Sequence, residues 1–241
     1  ERGAGQQFAG LPTLPPPAGL AAHPEPEEAA RLAGEITARG ARAVGVDLVF
    51  APVVDLDLEP DNPIVGTRSF GHDPVAVARL AGAWIEACQA GGVVACAKHF
   101  PGHGRTTADS HQEIPVVETG RRELEADLLP FRRLAGRVGA VLTAHVAYPH
   151  LDVHGPATLS RTLLTDLLRH DMGFDGLVVT DAMNMSGFLD APDARVDENA
   201  RAEENAQTDE DAEIRVADPL RDPAVRALLA GCDLLLYPEE L

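Results

Sequence analysis

Residues 160–181 read SRTLLTDLLRHDMGFDGLVVTD, and this stretch decides the fold class. Ser160 is a helix N-cap, Leu163, Leu164, Leu167 and Leu168 share one face of the helix it opens, and Gly173 closes that helix as a C-cap. A short apolar run, Leu177 to Thr180, follows, and Asp181 stands where it stops. Apolar runs that follow helical stretches also occur at Val46 to Val54, Val93 to Ala97, Ala140 to Thr143 and Leu234 to Tyr237. Asp73-Pro74 and Asp222-Pro223 each read as an N-cap with proline in the first turn. Strands that alternate with helices of this length imply right-handed crossovers and a buried parallel sheet. The first four runs lead into Asp55 and Asp57, Lys98 and His99, His145, and Asp181, so polar groups gather at one end of the sheet. A (β/α)8 barrel of the TIM type forms its active sites there, whereas a doubly wound sheet concentrates them at one switch point. The α/β barrel is therefore the expected fold, with about five of its eight βα units in this chain.

At 241 residues and 45% hydrophobic, the chain suits one large domain, residues 1–241. Its net charge of -18 repels phosphate backbones and anionic lipid, so nucleic acid is not an expected partner. Glycine, proline or charge interrupts every apolar run before the roughly 20 residues a bilayer demands, and no membrane contact is evident. Cys88, Cys96 and Cys232 form no CxxC pair and lie in apolar settings, which predicts buried free thiols. Residues 190–222, dominated by Asp, Glu, Ala and Arg, read as a flexible acidic insertion without chemistry. The first residue is Glu1, so an upstream segment is expected, and localisation, cytoplasmic or exported, is not legible.

Chemistry concentrates in Lys98-His99-Phe100-Pro101-Gly102-His103-Gly104-Arg105-Thr106-Thr107-Ala108-Asp109-Ser110-His111, within a long loop over residues 100–118. Lys98 is the one lysine among 20 basic residues, a compact charge where every other position uses the planar guanidinium. Asp109 and His111 point the same way in an extended loop, and a carboxylate on one imidazole nitrogen leaves the other to move a proton near neutral pH. Such a pair can equally be solvent-facing loop residues. Asp181 ends a buried strand, where a charge is costly unless donors surround it.

On these residues the chain resembles family 3 glycoside hydrolases, and within them the β-N-acetylglucosaminidases that trim peptidoglycan fragments. The matching stretches are Phe50 to Asp55, Gly66 to Phe70, Lys98 to Gly104 with Asp109-Ser110-His111, Thr143-Ala144-His145, and Thr180 to Met185. β-Glucosidases of the same family lack the D-x-H loop and take their acid/base from a second domain. The resemblance implies a retaining glycosidase acting on carbohydrate without cofactor or metal. Asp181 takes the nucleophile's place, His111 with Asp109 that of the acid/base dyad, and Arg68, Lys98, His99, His145 and Met183 those of the sugar contacts. It also implies three further strands before Val46, the last ending in Asp-Gln-Glu-Gly-Gly, which this sequence does not contain. The five runs are then the family's fourth to eighth strands.

Two other readings fit the same residues. A metal-dependent barrel hydrolase would draw ligands from His99, His103, Asp109, His111 and His145, converging on one ion. An inactive barrel fragment would keep the fold without turnover. Phosphorolysis remains a third outcome, because a histidine tolerates incoming phosphate better than a carboxylate does.

Overall fold

The computed structural model describes residues 10–108, 114–153, 155–185 and 222–237. Five parallel strands, β1 (Leu48–Val49), β2 (Val94–Phe100), β3 (Ala140–Thr143), β4 (Leu177–Ala182) and β5 (Leu234–Leu236), pair in chain order. A doubly wound sheet reverses its order at the switch point; this one does not. The intervening helices are α1 (Pro17–Ala21), α2 (Pro26–Ala43), α3 (Pro74–Ala90), α4 (Arg121–Leu134), a π-helix (Thr162–Asp171) and α5 (Pro223–Ala230).

Alternation along the strands assigns two faces. Ala95, Ala97, Val141 and Val178 join the large core with Trp84, Leu124, Phe131 and Leu164 from the helices. Cys96, Ala140, Leu142 and Val179 form a second cluster with Leu48, Phe50 and Val94. Helices pack on the first face, and the second is the concave side of an α/β half-barrel. Lys98 and Asp181 continue the alternation of this concave side.

The elements form where the capping residues direct. Asp73 accepts a hydrogen bond from the Ala76 amide at 2.7 Å, and Asp222 accepts one from the Ala224 amide at 2.8 Å. Ser160 accepts from the Leu163 amide at 3.0 Å, as a cap should. The helix beyond it is wound as a π-helix, closed by Met172 N–H donating to Leu167 O at 2.9 Å. The leucine pairs at 163/164 and 167/168 suit that wider winding as well as the expected α-helix, so their spacing could not separate the two.

The run expected from Val46 to Val54 gives a strand of only two residues. Pro52 has no amide to donate, and beyond Val49 the pairing with β2 is irregular: Ala51 O accepts from Cys96 N–H at 2.8 Å and Val54 N–H donates to Lys98 O at 2.9 Å. β2 instead runs longer than expected and carries Lys98 and His99 inside the strand. All three cysteines are free and buried, and burial pushes the Cys88 thiol up to about 11 and Cys232 up to about 12. Of the acidic segment 190–222, all but Asp222 lies outside the described residues. Among the described residues, no helix is long and apolar enough to cross a membrane.

α2 and α3 cross closely because Ala30, Ala33, Gly34, Ala38 and Ala41 line the buried face of α2. A Cβ on Gly34 would lie 2.2 Å from the Trp84 carbonyl oxygen, which belongs to rigid helical backbone. Gly34→Ala should therefore cost about 1–3 kcal/mol through overpacking. The check is the urea midpoint, expected to fall at unchanged slope; an unaltered midpoint would mean that the two helices separate freely.

Candidate active site

The site is assembled around a buried carboxylate. Asp55, 1% exposed, follows β1 and faces the end of β2. Its Oδ1 accepts from the backbone amides of His99 at 3.0 Å and His103 at 2.7 Å, while its Oδ2 lies 2.7 Å from His99 Nδ1. A carboxylate only accepts, so Nδ1 carries the proton in that pair. Burial pushes the Asp55 carboxyl upward, but the His99 ring, by charge and hydrogen bond, and then His103 hold it below the usual carboxylate range. Asp55 is thus charged and satisfied, and it fixes both ends of the turn from His99 to His103.

Three further contacts hold that turn. A Cβ on Gly104 would meet the Leu56 carbonyl oxygen at 1.8 Å, so only glycine lets the loop lie against the segment after Asp55. Tyr148 donates its hydroxyl to Gly102 O, and Arg105 Nε donates to the buried Asp127 of α4 at 2.8 Å. His103, 1% exposed, pairs Nδ1 with the Thr106 hydroxyl at 2.8 Å, and its Nε2 has no hydrogen-bond partner among the described residues. Burial, reinforced by the neighbouring His99, lowers the His103 imidazole to about 4.

Asp181 lies on β4, partly exposed, with its Oδ1 accepting from the Ala182 amide at 2.8 Å. Burial raises its carboxyl, yet His99, His145, the Ala182 amide and Lys98 together bring it below the usual range. It is held ionised at the strand end, as a nucleophile requires. His145 backs it from β3's end: Nε2 pairs with Ala182 O at 3.1 Å and Nδ1 with the Thr158 hydroxyl at 2.7 Å. Because a carbonyl only accepts, Nε2 bears the proton in that pair, and burial lowers the His145 ring below its ordinary value. Two of the ring's contacts are therefore with the protein itself.

Of the residues expected at the site, Lys98, His99, His145 and Asp181 come together at the C-terminal ends of β2, β3 and β4. Arg68 ends the 3-10 turn Gly66–Arg68, where its Nη1 donates to Ile64 O at 3.0 Å. Met183 is 1% exposed and packs in the large core. Asp109 and His111 lie outside the described residues. Among the described residues, no group of three or more His, Cys, Asp or Glu is arranged to hold a metal ion. Asp55, Asn62 and Thr158 are the structural partners that sequence reading left without a role. Asp55 alone carried a signal, as the polar residue ending the first run. Two clefts, lined in part by Arg137, Gly139 and Asp175 and by Arg169, Gly176 and Asp233, open at the opposite ends of the strands.

Carboxylates, histidines and one lysine thus gather at the C-terminal strand ends of a half-barrel, the end at which barrel folds carry their sites. The chain belongs to glycosyl hydrolase family 3, matching its N-terminal domain over residues 1–241. It is 44% identical over 179 residues, 74% of this chain, to a beta-hexosaminidase of Pseudomonas aeruginosa. It spans about half the length of that relative, 53%. A family 3 β-N-acetylglucosaminidase from Paenibacillus superposes with a TM-score of 0.79 at 35% identity, over 96% of this chain and 39% of that one. NagZ from Neisseria gonorrhoeae, in complex with N-trifluoroacetyl-D-glucosamine, superposes with a TM-score of 0.76 at 34% identity, over 96% of this chain and 61% of that one.

The titration of His103 has a consequence for stability. Its folded value, about 4, lies below the ordinary 6.5 of an unfolded histidine, so the unfolded chain binds more protons between these limits. Stability is full above pH 6.5 and is lost as pH falls towards 4, on the order of 3 kcal/mol for one such group. Asp55, lowered from 3.8, adds a further loss in stronger acid, while the raised Asp127 works in the opposite sense. Urea titrations from pH 7 to 4 should show a steep decline that His103→Asn flattens. The same slope in both proteins would mean that His103 titrates normally.

Proposed function

We propose that the protein, at its natural length, is a retaining β-N-acetylglucosaminidase that removes terminal N-acetylglucosamine from peptidoglycan-derived fragments or related β-glycosides. The observation that carries this reading is Asp181, kept ionised at the end of β4 beside His99, His145 and Lys98, in a chain of family 3. The half-barrel is then part of a (β/α)8 barrel, in one domain whose segment 190–222 is an insertion.

The reaction runs in two displacements. One Asp181 oxygen attacks the anomeric carbon as the glycosidic C–O bond breaks, and His111, oriented by Asp109, gives its proton to the departing oxygen. His111 then takes a proton from water, whose oxygen bonds to the anomeric carbon and releases Asp181. Arg68, Lys98 and His99 hold sugar hydroxyls. His145 and Met183 are the further expected sugar contacts, and His145 also braces the backbone after Asp181 through Ala182 O. The N-acyl glucosamine in the gonococcal structure supports a 2-acetamido sugar here. Metal-assisted hydrolysis would leave Asp181 without a task.

Two measurements test this. Aryl β-N-acetylglucosaminide should be cleaved far faster than aryl β-glucoside, and equal rates would remove the subgroup assignment. His111→Ala should cost about 10²- to 10⁴-fold on an alkyl glycoside, whose leaving oxygen needs a proton. A nitrophenyl glycoside needs little protonation, so its first step should be spared and a glycosyl-enzyme burst should appear. Uniform losses would place the acid/base elsewhere.

A further inference from the structure

Thr158 lies in the 3-10 turn Ala157–Leu159, buried, and its hydroxyl is met from three sides. Thr143 Oγ1 of β3 is 2.8 Å away, His145 Nδ1 2.7 Å and Ala144 O 3.1 Å. The turn is itself anchored, because the Ala157 amide donates to Val146 O at 2.8 Å and the Cys232 thiol donates to Thr158 O at 3.8 Å.

The protons of this cluster can be placed one by one. His145 Nε2 donates to Ala182 O at 3.1 Å, since a carbonyl only accepts. Burial disfavours the imidazolium, so near neutral pH the ring is neutral and its Nδ1 is an acceptor, although Asp181 works in the opposite sense and His99 in the same one. A hydroxyl has one proton, and that of Thr158 goes to Nδ1, the nearer of its two acceptors. Thr158 must then accept from Thr143. The donors run in one direction, from Thr143 to Thr158, to His145 and to Ala182, and they end beside Asp181. Ala182 O also takes the Met185 amide at 3.1 Å, which fills both its lone pairs, and the Ala182 amide holds Asp181 Oδ1 at 2.8 Å.

We infer that Thr158 is a positioning residue: its hydroxyl pins the His145 ring, and through the backbone of Ala182 it fixes the direction in which Asp181 presents its carboxylate. This deepens the reading of Asp181 as the nucleophile and rests on it. Asp181 bonds to the anomeric carbon in the first displacement and is released in the second, so a misdirected carboxylate slows both. The sugar contacts Arg68, Lys98 and His99 stand on other elements, and binding is left in place. A group that only stabilised the fold would lower the amount of active protein and leave the rate of each folded molecule unchanged.

The test uses the protein at natural length, with isotope-labelled histidine for NMR and nitrophenyl β-N-acetylglucosaminide as substrate. The His145 ring, recognised by its absence from the His145→Gln spectrum, should be protonated on Nε2, and that proton should exchange slowly. Thr158→Val keeps the shape and removes the hydroxyl. Its Nε2 proton should exchange too fast to be seen, and kcat per folded molecule should fall about 10- to 100-fold with KM in place. Thr158→Ser should restore both. Unchanged kcat, a loss confined to KM, a slow Nε2 proton in Thr158→Val, or a serine variant as impaired as the valine one would overturn the inference. Should Thr158→Val fail to fold, the wild type and Thr158→Ser decide: both should hold the slow Nε2 proton, and a ring protonated on Nδ1 in either overturns it. Asp181→Ala run in parallel separates the two ideas. Turnover that persists there removes the nucleophile assignment, and Thr158 is then judged on the His145 proton alone.

Discussion

Everything at the C-terminal strand ends of this half-barrel depends on the Asp55 carboxylate. It is buried, so its charge would be untenable alone, and it is kept by two backbone amides and one imidazole N–H. Those donors belong to His99 and His103, at the two ends of one tight turn. Removal of the carboxylate would release that turn and leave buried donors unpaired at once. The His99 ring, oriented by Asp55, is in turn the largest influence that keeps Asp181 ionised against its burial. The Asp181 carboxylate on β4 is therefore influenced from the segment after β1, three strands away in the sheet, through His99 of β2.

A second layer works on geometry. Thr143 and Thr158 are 2.8 Å apart and Thr158 meets His145 at 2.7 Å, so a chain of hydroxyls fixes the ring that braces the backbone after Asp181. Gly104 permits the loop to touch Leu56, and Asp127 of α4 and Tyr148 of the segment after β3 hold it. Each contact fixes the backbone from which the site's side chains project.

Much of the fold was legible because helices and strands leave periodic traces. The runs at Ala140 to Thr143 and Leu177 to Thr180 were located within two residues, and proline with a capping aspartate marked α3 and α5. The shortness of β1 was not seen, because the Val46 to Val54 run looks uniform and the effect of Pro52 depends on which side needs an amide. The π winding of Thr162–Asp171 left no trace, since its leucine pairs fit either helix. At the site, strand-end position marked Lys98, His99, His145 and Asp181, and Lys98 stood out also as the one lysine. Asn62 and Thr158 could not be read this way, since an amide or hydroxyl in a loop looks like turn chemistry until its distant partners are known. Asp55 was noticed but given no task, because its partners lie 44 and 48 residues away.

In the proposed reaction Asp181 is the group that bonds to the sugar. A 5-fluoro-N-acetylglucosaminyl fluoride slows release of the glycosyl-enzyme more than its formation, so a covalent adduct should accumulate and survive proteolysis for mass spectrometry. The peptide carrying the added sugar should contain Asp181, and Asp181→Ala should give no adduct. A sugar attached to any other residue, or turnover that persists in Asp181→Ala, would contradict the account.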